Sequence, residues 1–332
     1  MKCLVTGATG FIGNRLVEKL LDLGFEVNVI VRSPDKLSDS IRNKIHVFKG
    51  DVLDKNTINS AIVNCNQVYH LAAFAGIWSK DQLLPYKINV TGTENLLKAA
   101  LDHNIQKIAF TSSAGTLAPS KVMEEVNEAS PLPETYHTDY EKSKLKAEQL
   151  CMDYIKKGLC IVIVNPTRVF GPGPMNKSNS VTVMIRNYLA GYWRFIPGKG
   201  ESVGNYAFID DVAEGHVKAM DVGVCGEKYI LGGTNISFNT FFKHLAAASG
   251  INLRMIHIPY LLIYALASVE FFLAGTFGKK PIITPPWARR YNENRLVSSN
   301  KAIEHLRYNI TPVRLAMEKT IQWLQQQNGH EI

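Results

Sequence analysis

A doubly wound parallel α/β sheet, with a smaller and mainly C-terminal α/β lobe beside it, is the fold this sequence predicts. Three observations carry the prediction. Short apolar runs alternate with amphipathic segments through the first half of the chain. The first run enters a glycine-punctuated turn, Gly7-Ala8-Thr9-Gly10-Phe11-Ile12-Gly13, which reads as strand, tight turn and helix start. The 332 residues, 46% apolar and 20% charged, suffice for one large or two modest globular domains.

Taken in order, strands are predicted at Lys2–Thr6, Glu26–Val31, Ile45–Lys49, Gln67–Leu71, Lys107–Ser112 and Cys160–Asn165. Between them helices are predicted at Gly13–Leu23, Lys55–Val63, Tyr86–Asp102 and Asp139–Lys157. Leu16, Leu20, Leu21 and Leu23 mark the buried stripe of the first helix, and Gly24 ends it. Such β-α alternation implies a parallel sheet covered on both faces. After Pro166 the pattern breaks at Gly171-Pro172-Gly173-Pro174 and Pro197-Gly198-Lys199-Gly200, and regular alternation stops until a strand at Glu227–Leu231. Helices then follow at Asn239–Ala248, Pro259–Thr276, Ser299–His305 and Pro312–Gln326. The expected division places positions 1–166 and about 207–232 in the sheet domain, and about 167–206 and 233–330 in the second lobe.

Composition narrows the partners. The formal charge is +8, but no basic run interleaves with aromatics as a nucleic-acid patch would. Cys3, Cys65, Cys151, Cys160 and Cys225 are odd in number and scattered, with no CxxC and no Cys/His ligand spacing. Reduced thiols in a cytoplasmic protein without a metal site are expected, and no signal peptide precedes the first strand. The stretch Pro259–Gly278 is long and apolar. It reads as a buried or half-buried helix, or as one lying in a membrane interface, anchored by aromatics and Lys279-Lys280, so that peripheral contact runs through 259–280. Glu270 near its middle argues against a full span.

The glycine spacing acquires meaning from its setting. Gly7 would make the turn, Gly10 would let backbone approach a pyrophosphate, and Gly13 would let helix pack on strand. Thr9, Phe11 and Ile12 lie in the same loop. The second strand ends in Arg32, not a carboxylate, with Lys36 close behind. A guanidinium suits a 2′-phosphate, so NADP is expected over NAD. Asp51 and Val52 follow the third strand, where a carboxylate can accept from an adenine amino group. Leu71, Ala72 and Ala73 end the fourth strand in small side chains, as backbone close to a cofactor requires.

Tyr140 and Lys144 share a helix face at i and i+4, and an ammonium there would lower the phenol's pKa toward the working range. Ser113 stands at the carboxyl end of the fifth strand, on the side of the glycine loop, where its hydroxyl can bond an oxygen on which charge develops.

These pieces together resemble the extended short-chain dehydrogenase/reductase superfamily, of the NAD-dependent epimerase/dehydratase type. Further matching segments are His70-Leu-Ala-Ala73, Asn89-Val-Thr-Gly-Thr93, Asn165-Pro166 with Gly171-Pro172, and Phe208-Ile-Asp-Asp-Val212. The resemblance implies a Rossmann fold with Ser113, Tyr140 and Lys144 as catalytic residues. Tyr140 is then the general acid–base, Lys144 holds the nicotinamide ribose, and Asn89 supports a proton relay. It extends the cofactor site to Thr111, Pro166, Thr167 and Val169. Gly204 and Asn205 stand where sugar-nucleotide enzymes of the superfamily typically carry Arg-Asp, and Ala114-Gly115 where dehydratases carry Asp-Glu. The chain is more similar to dihydroflavonol reductases, cinnamoyl-CoA-type reductases and 3β-hydroxysteroid dehydrogenases. The expected activity is NADP(H)-dependent reduction of a ketone or aldehyde, or the reverse oxidation, on an apolar small molecule facing Phe74, Ile77, Trp78, Phe170 and Met175. A sugar-nucleotide epimerase and a non-enzymatic NADP-sensing regulator are the alternatives, and a homodimer is common in such families.

Overall fold

The computed structural model describes residues 1–121, 124–176, 179–278 and 280–328. The chain opens with β1 (Lys2–Thr6), α1 (Phe11–Asp22), β2 (Glu26–Val31), α2 (Asp39–Arg42), β3 (His46–Lys49), α3 (Lys55–Ile62) and β4 (Gln67–His70). Then come α4 (Leu84–Tyr86), α5 (Gly92–Asp102), β5 (Lys107–Thr111), α6 (Asp139–Ile155) and β6 (Ile161–Pro166). The next elements are β7 (Arg168–Phe170), α7 (Ser180–Leu189), β8 (Phe195–Pro197), β9 (Val203–Phe208), α8 (Ile209–Val222) and β10 (Lys228–Leu231). The described chain closes with β11 (Thr234–Ser237), α9 (Phe238–Ser249), β12 (Ile256–Ile258), α10 (Tyr260–Phe277), α11 (Pro285–Arg290), α12 (Asn300–Leu306) and α13 (Val313–Asn328).

Seven strands form one parallel sheet in the order β10-β6-β5-β4-β1-β2-β3. Successive residues of each strand point to opposite faces. Leu4, Ile30, Val68 and Ile108 meet residues of α3, α5 and α6, while Cys3, Val5, Val29 and Tyr69 meet Leu16, Val17 and Leu20 of α1. The strand order reverses between β1 and β4, so a crevice opens there at the carboxyl ends of the strands. Two smaller sheets, β11-β9-β7 and β12-β8, accompany a second core in which Phe170, Tyr206, Phe208, Phe241 and Phe242 are buried. Phe170 meets the Phe208 and Phe241 rings edge-on at 6.3 and 6.5 Å.

Several expectations are corrected. The helix read as one piece over 86–102 is broken: a π-helical turn occupies Lys87–Thr91, with Gly92 N–H donating to the Lys87 carbonyl five residues back. β7, β8, β9, β11, β12, α7 and α11 interrupt stretches that sequence periodicity left blank. The three-residue strands β7, β8 and β12 are too short to show a period of two. The cysteines are not all reduced, because Cys160 and Cys225 form a disulfide with Cα atoms 4.9 Å apart. Parallel pairing of β6 with β10 brings the approaches to both strands side by side, which a separation of 65 residues conceals. Cys3, Cys65 and Cys151 are free and buried. Lastly, α10 is not a buried helix. Only 11% of it is buried.

Candidate active site

The crevice at the strand ends is a cleft of about 1000 Å³, and its floor is the glycine loop. Gly7 has φ +79°, and a Cβ there would stand 2.7 Å from the Ala72 nitrogen. A Cβ on Gly13 would strike the Gly7 carbonyl oxygen. The backbone therefore folds as tightly as the loop reading requires. Gly10 precedes α1 in extended conformation with no side-chain cap, so the first N–H groups of the helix face the cleft uncapped. These features fit a dinucleotide pyrophosphate.

A hydrogen-bonded chain fixes the loop against the catalytic helix. Thr93 donates its hydroxyl proton to Asn89 O at 2.7 Å, so His70 Nε2–H must donate to Thr93 Oγ1 at 2.9 Å. His70 Nδ1 then accepts from Thr6 Oγ1 at 2.7 Å, and Thr6 Oγ1 accepts from Ala72 N at 3.1 Å. Burial pulls His70 down to about 3, which keeps this neutral tautomer. Asn89 Oδ1 accepts from Phe74 N at 2.7 Å, and Nδ2 donates to Ser143 Oγ at 2.8 Å and to Phe74 O at 3.3 Å. Its amide is thus occupied in clamping the 74 loop to α6.

Thr138 and Glu141 cap α6 reciprocally, fixing where Tyr140 and Lys144 emerge. Ser113 Oγ accepts from Gly115 N at 3.0 Å, and its carbonyl accepts from Asn165 Nδ2 at 3.1 Å. Lys144 is buried, donates to Thr111 O at 2.6 Å and lies 4.4 Å from the centre of the Phe110 ring. Burial pushes its pKa down to about 8. Half-buried Tyr140 departs from expectation, since burial raises its pKa. A hydrogen bond with Ser113 and the charge of Arg290 oppose that rise. The Lys144 ammonium donates to the Thr111 carbonyl at the end of β5.

Every residue expected at the cofactor lines the cleft except Lys36: Gly7, Thr9, Gly10, Phe11, Ile12, Gly13, Arg32, Asp51, Val52, Leu71, Ala72, Ala73, Thr111, Tyr140, Lys144, Pro166, Thr167 and Val169. Lys36 is exposed, at the end of a 3-10 turn over Pro34–Lys36. Arg32 is 72% exposed, with Nε 3.7 Å from Asp51 Oδ2. Of the expected substrate residues only Ser113 lines the cleft. Phe170 is fully buried in the second core and Met175 packs against that core. Phe74, Ile77 and Trp78 lie in the irregular segment after β4, which Asn89 clamps, and they do not line the cleft.

The far wall comes from residues the sequence did not single out. Arg168, Trp193, Tyr206, Phe238, Leu266, Ile282, Trp287, Arg290 and Tyr291 line it. Arg290 sits beside Glu141 at 3.1 Å and over the Trp287 ring at 4.8 Å. Arg168 donates to the Tyr206 hydroxyl at 3.2 Å and lies 5.5 Å from the centres of both the Tyr206 and Phe238 rings. It forms no ion pair with a carboxylate among the described residues. Gly204 makes room for it, since a Cβ there would overlap the guanidinium. The run Trp287-Ala-Arg-Arg-Tyr291 was the one local hint, a cluster of aromatics and cations without periodicity.

The model of the NAD dependent epimerase/dehydratase family matches residues 3–232, and the chain belongs to that family. Sterol demethylase protein B of Methylococcus capsulatus is 30% identical over 304 residues, covering 91% of this chain and 89% of that protein. The 3beta-hydroxysteroid-dehydrogenase/decarboxylase isoform 1 of Arabidopsis thaliana is 28% identical, covering 96% of this chain and 78% of its own length. Among solved structures, that of gox2253 is 32% identical with a TM-score of 0.83, covering 98% of both chains. These relatives bear out the resemblance to the extended short-chain superfamily.

Proposed function

We propose that the chain is an NADP(H)-dependent oxidoreductase that reduces a ketone or aldehyde, or oxidises the corresponding alcohol, of a largely apolar small molecule. One observation carries the reading: Ser113, Tyr140 and Lys144 share a cleft with an uncapped glycine cradle and a wall of aromatic and aliphatic side chains. When bound, the nicotinamide would supply or accept the hydride. Tyr140 donates its proton to the carbonyl oxygen during reduction and takes the hydroxyl proton in the reverse direction. The Ser113 hydroxyl bonds that oxygen as charge develops on it. Arg290 favours the phenolate that remains. Exposed Arg32, at the end of β2, supports a 2′-phosphate and hence NADP.

The test is turnover of NADPH with a panel of apolar ketones and aldehydes. Tyr140→Phe should lower kcat by about 10²–10⁴-fold while the NADPH affinity, followed by fluorescence titration, stays within a few-fold. Unchanged turnover overturns the mechanism. So does a purified protein that keeps its dinucleotide through turnover and equilibrates a sugar nucleotide without external reductant.

Arg168 favours a narrower second reading. A half-buried guanidinium with no carboxylate partner among the described residues suits an acidic group on the substrate. If that group is a carboxylate β to the reacting carbon, oxidation leaves a β-keto acid. Its C–C bond to the carboxylate then breaks, releasing CO₂ and leaving an enolate that takes up a proton. The name of the Arabidopsis relative, a hydroxysteroid dehydrogenase/decarboxylase, agrees with an acidic steroid substrate, and that of the Methylococcus relative names a sterol. Release of CO₂ from a 3-hydroxy-4-carboxysteroid with NADP⁺ would support it, and oxidation without CO₂ release would overturn it.

A further inference from the structure

The helix α10 has its polarity reversed for one facing water. Leu261, Leu262, Leu266, Val269, Phe272 and Leu273 are 78, 51, 55, 57, 71 and 41% exposed, and they recur at helical spacing as one stripe. Ala267 and Ala274 face the protein and are buried. The single charged residue of the helix, Glu270, is bonded back to the loop that follows, its Oε2 accepting from Ile282 N at 2.6 Å. An outward face without charge along 18 residues, roughly 27 Å of helix, is not what solvent selects.

The edges of this face are amphipathic. The Tyr260 and Tyr264 rings lie tilted with centroids 6.3 Å apart, and Arg289 donates to the Tyr264 hydroxyl at 3.2 Å while lying 5.5 Å from its ring centre. Aromatics paired with cations suit a boundary between hydrocarbon and headgroups. Lys279, expected as an anchor, lies outside the described residues.

Charge names the occupant. Positions 167–206 and 233–330 carry sixteen Lys and Arg against five Asp and Glu, whereas 1–166 and 207–232 carry twenty-one against twenty-three. The positive excess therefore sits in the segments that contain α10. A second copy would bring two such bodies together and repel, whereas a bilayer with anionic headgroups attracts them. The same face borders the cleft. Ile263 and Leu266 of α10 line it, and so does Ile282, which is 83% exposed and stands at its mouth.

We propose that α10 and Ile282 dock on an anionic bilayer, lying in its interface, and that the cleft draws a lipid-dissolved substrate from that side. The nature of the substrate rests on the oxidoreductase reading, but the docking does not.

The test uses the full chain and no turnover, so a failure of the enzymatic reading leaves it intact. Sedimentation with phosphatidylcholine/phosphatidylglycerol vesicles should pull down the protein. Partition should fall on the order of tenfold on phosphatidylcholine alone, and by a similar factor in Leu261→Glu/Phe272→Glu. Both positions are exposed, and an unchanged melting temperature checks the fold; Leu262→Glu is the replacement should that variant melt early. Alkaline carbonate should release the protein. An environment-sensitive thiol dye at Ile282→Cys should shift to the blue on anionic vesicles, and the same dye at Leu23→Cys should not. The native cysteines do not compete, since three are buried and two are paired. The proposal is overturned by wild-type protein that stays in the supernatant, by a variant that partitions like wild type, by a dye at position 23 that shifts as strongly, or by retention through carbonate. A dimer mass in light scattering that the variant reduces to a monomer would make the face a self-interface and overturn it equally.

Discussion

Single side chains in this protein do different work from what their sequence setting suggests. Lys144 shares a helix face with Tyr140 and bonds Thr111 O, and a second cation that favours the phenolate, Arg290, comes from 150 positions along the chain. Arg32 is open to solvent and lines the cleft. Arg32→Asp should shift the NADPH-to-NADH ratio of kcat/KM toward NADH by at least tenfold, and an unmoved ratio would remove Arg32 as the phosphate reader. Two buried histidines set an acid limit. His70 is pulled down to about 3 and His216 to about 4, chiefly by burial. Both folded values lie below the unfolded value near 6.5, so the unfolded chain binds more protons in the interval between. Their contribution is complete above pH 6.5 and is lost as pH falls toward 4, by up to about 1.4 kcal/mol per pH unit for each histidine. Urea midpoints measured from pH 7.5 to 4 should fall accordingly, and His216→Gln should flatten the slope.

At the scale of elements, the tight places are where backbone meets backbone. The junction of β1 and α1 leaves no room at Gly13, where a Cβ would meet the Gly7 carbonyl. Gly13→Val should weaken NADPH binding more than tenfold and destabilise the fold by about 1–3 kcal/mol, read by fluorescence titration and urea unfolding. On β9, Gly204 leaves space for the Arg168 guanidinium from β7. Gly204→Val should displace it, raising KM for an acidic substrate and leaving that for a neutral ketone within a few-fold. The β-α alternation of the first half was legible because four to six residues at period two, or eight or more at period 3.6, repeat a signal. The three residues of β7, β8 and β12 do not, and α11 offers only six.

For the whole molecule, the decisive property is segregation. Positions 1–166 and 207–232 hold the glycine cradle and are close to charge balance, whereas 167–206 and 233–330 hold the positive excess and the apolar ridge of α10. The vesicle experiment belongs to this scale, because partition depends on the summed field and the area of the ridge and not on any one contact. The candidate site was half legible in the sequence. Its cofactor floor follows loops tied to regular strands, so Gly7, Ala72 and Thr111 fell where expected. Its far wall did not: Phe170 looked available and is core, whereas Tyr206, Trp287 and Tyr291 were passed over.

The sequence by itself determined the alternating strands and helices, the glycine cradle and the Tyr140/Lys144 pair, because each is written in residues close along the chain whose spacing is their geometry. The tertiary structure alone decided that Cys160 meets Cys225, that Arg168 and Arg290 face the cleft, and that the apolar stripe of α10 points outward. Those outcomes depend on which surfaces pack together across tens or hundreds of residues, and an apolar helix has the same pattern whether protein or lipid covers it.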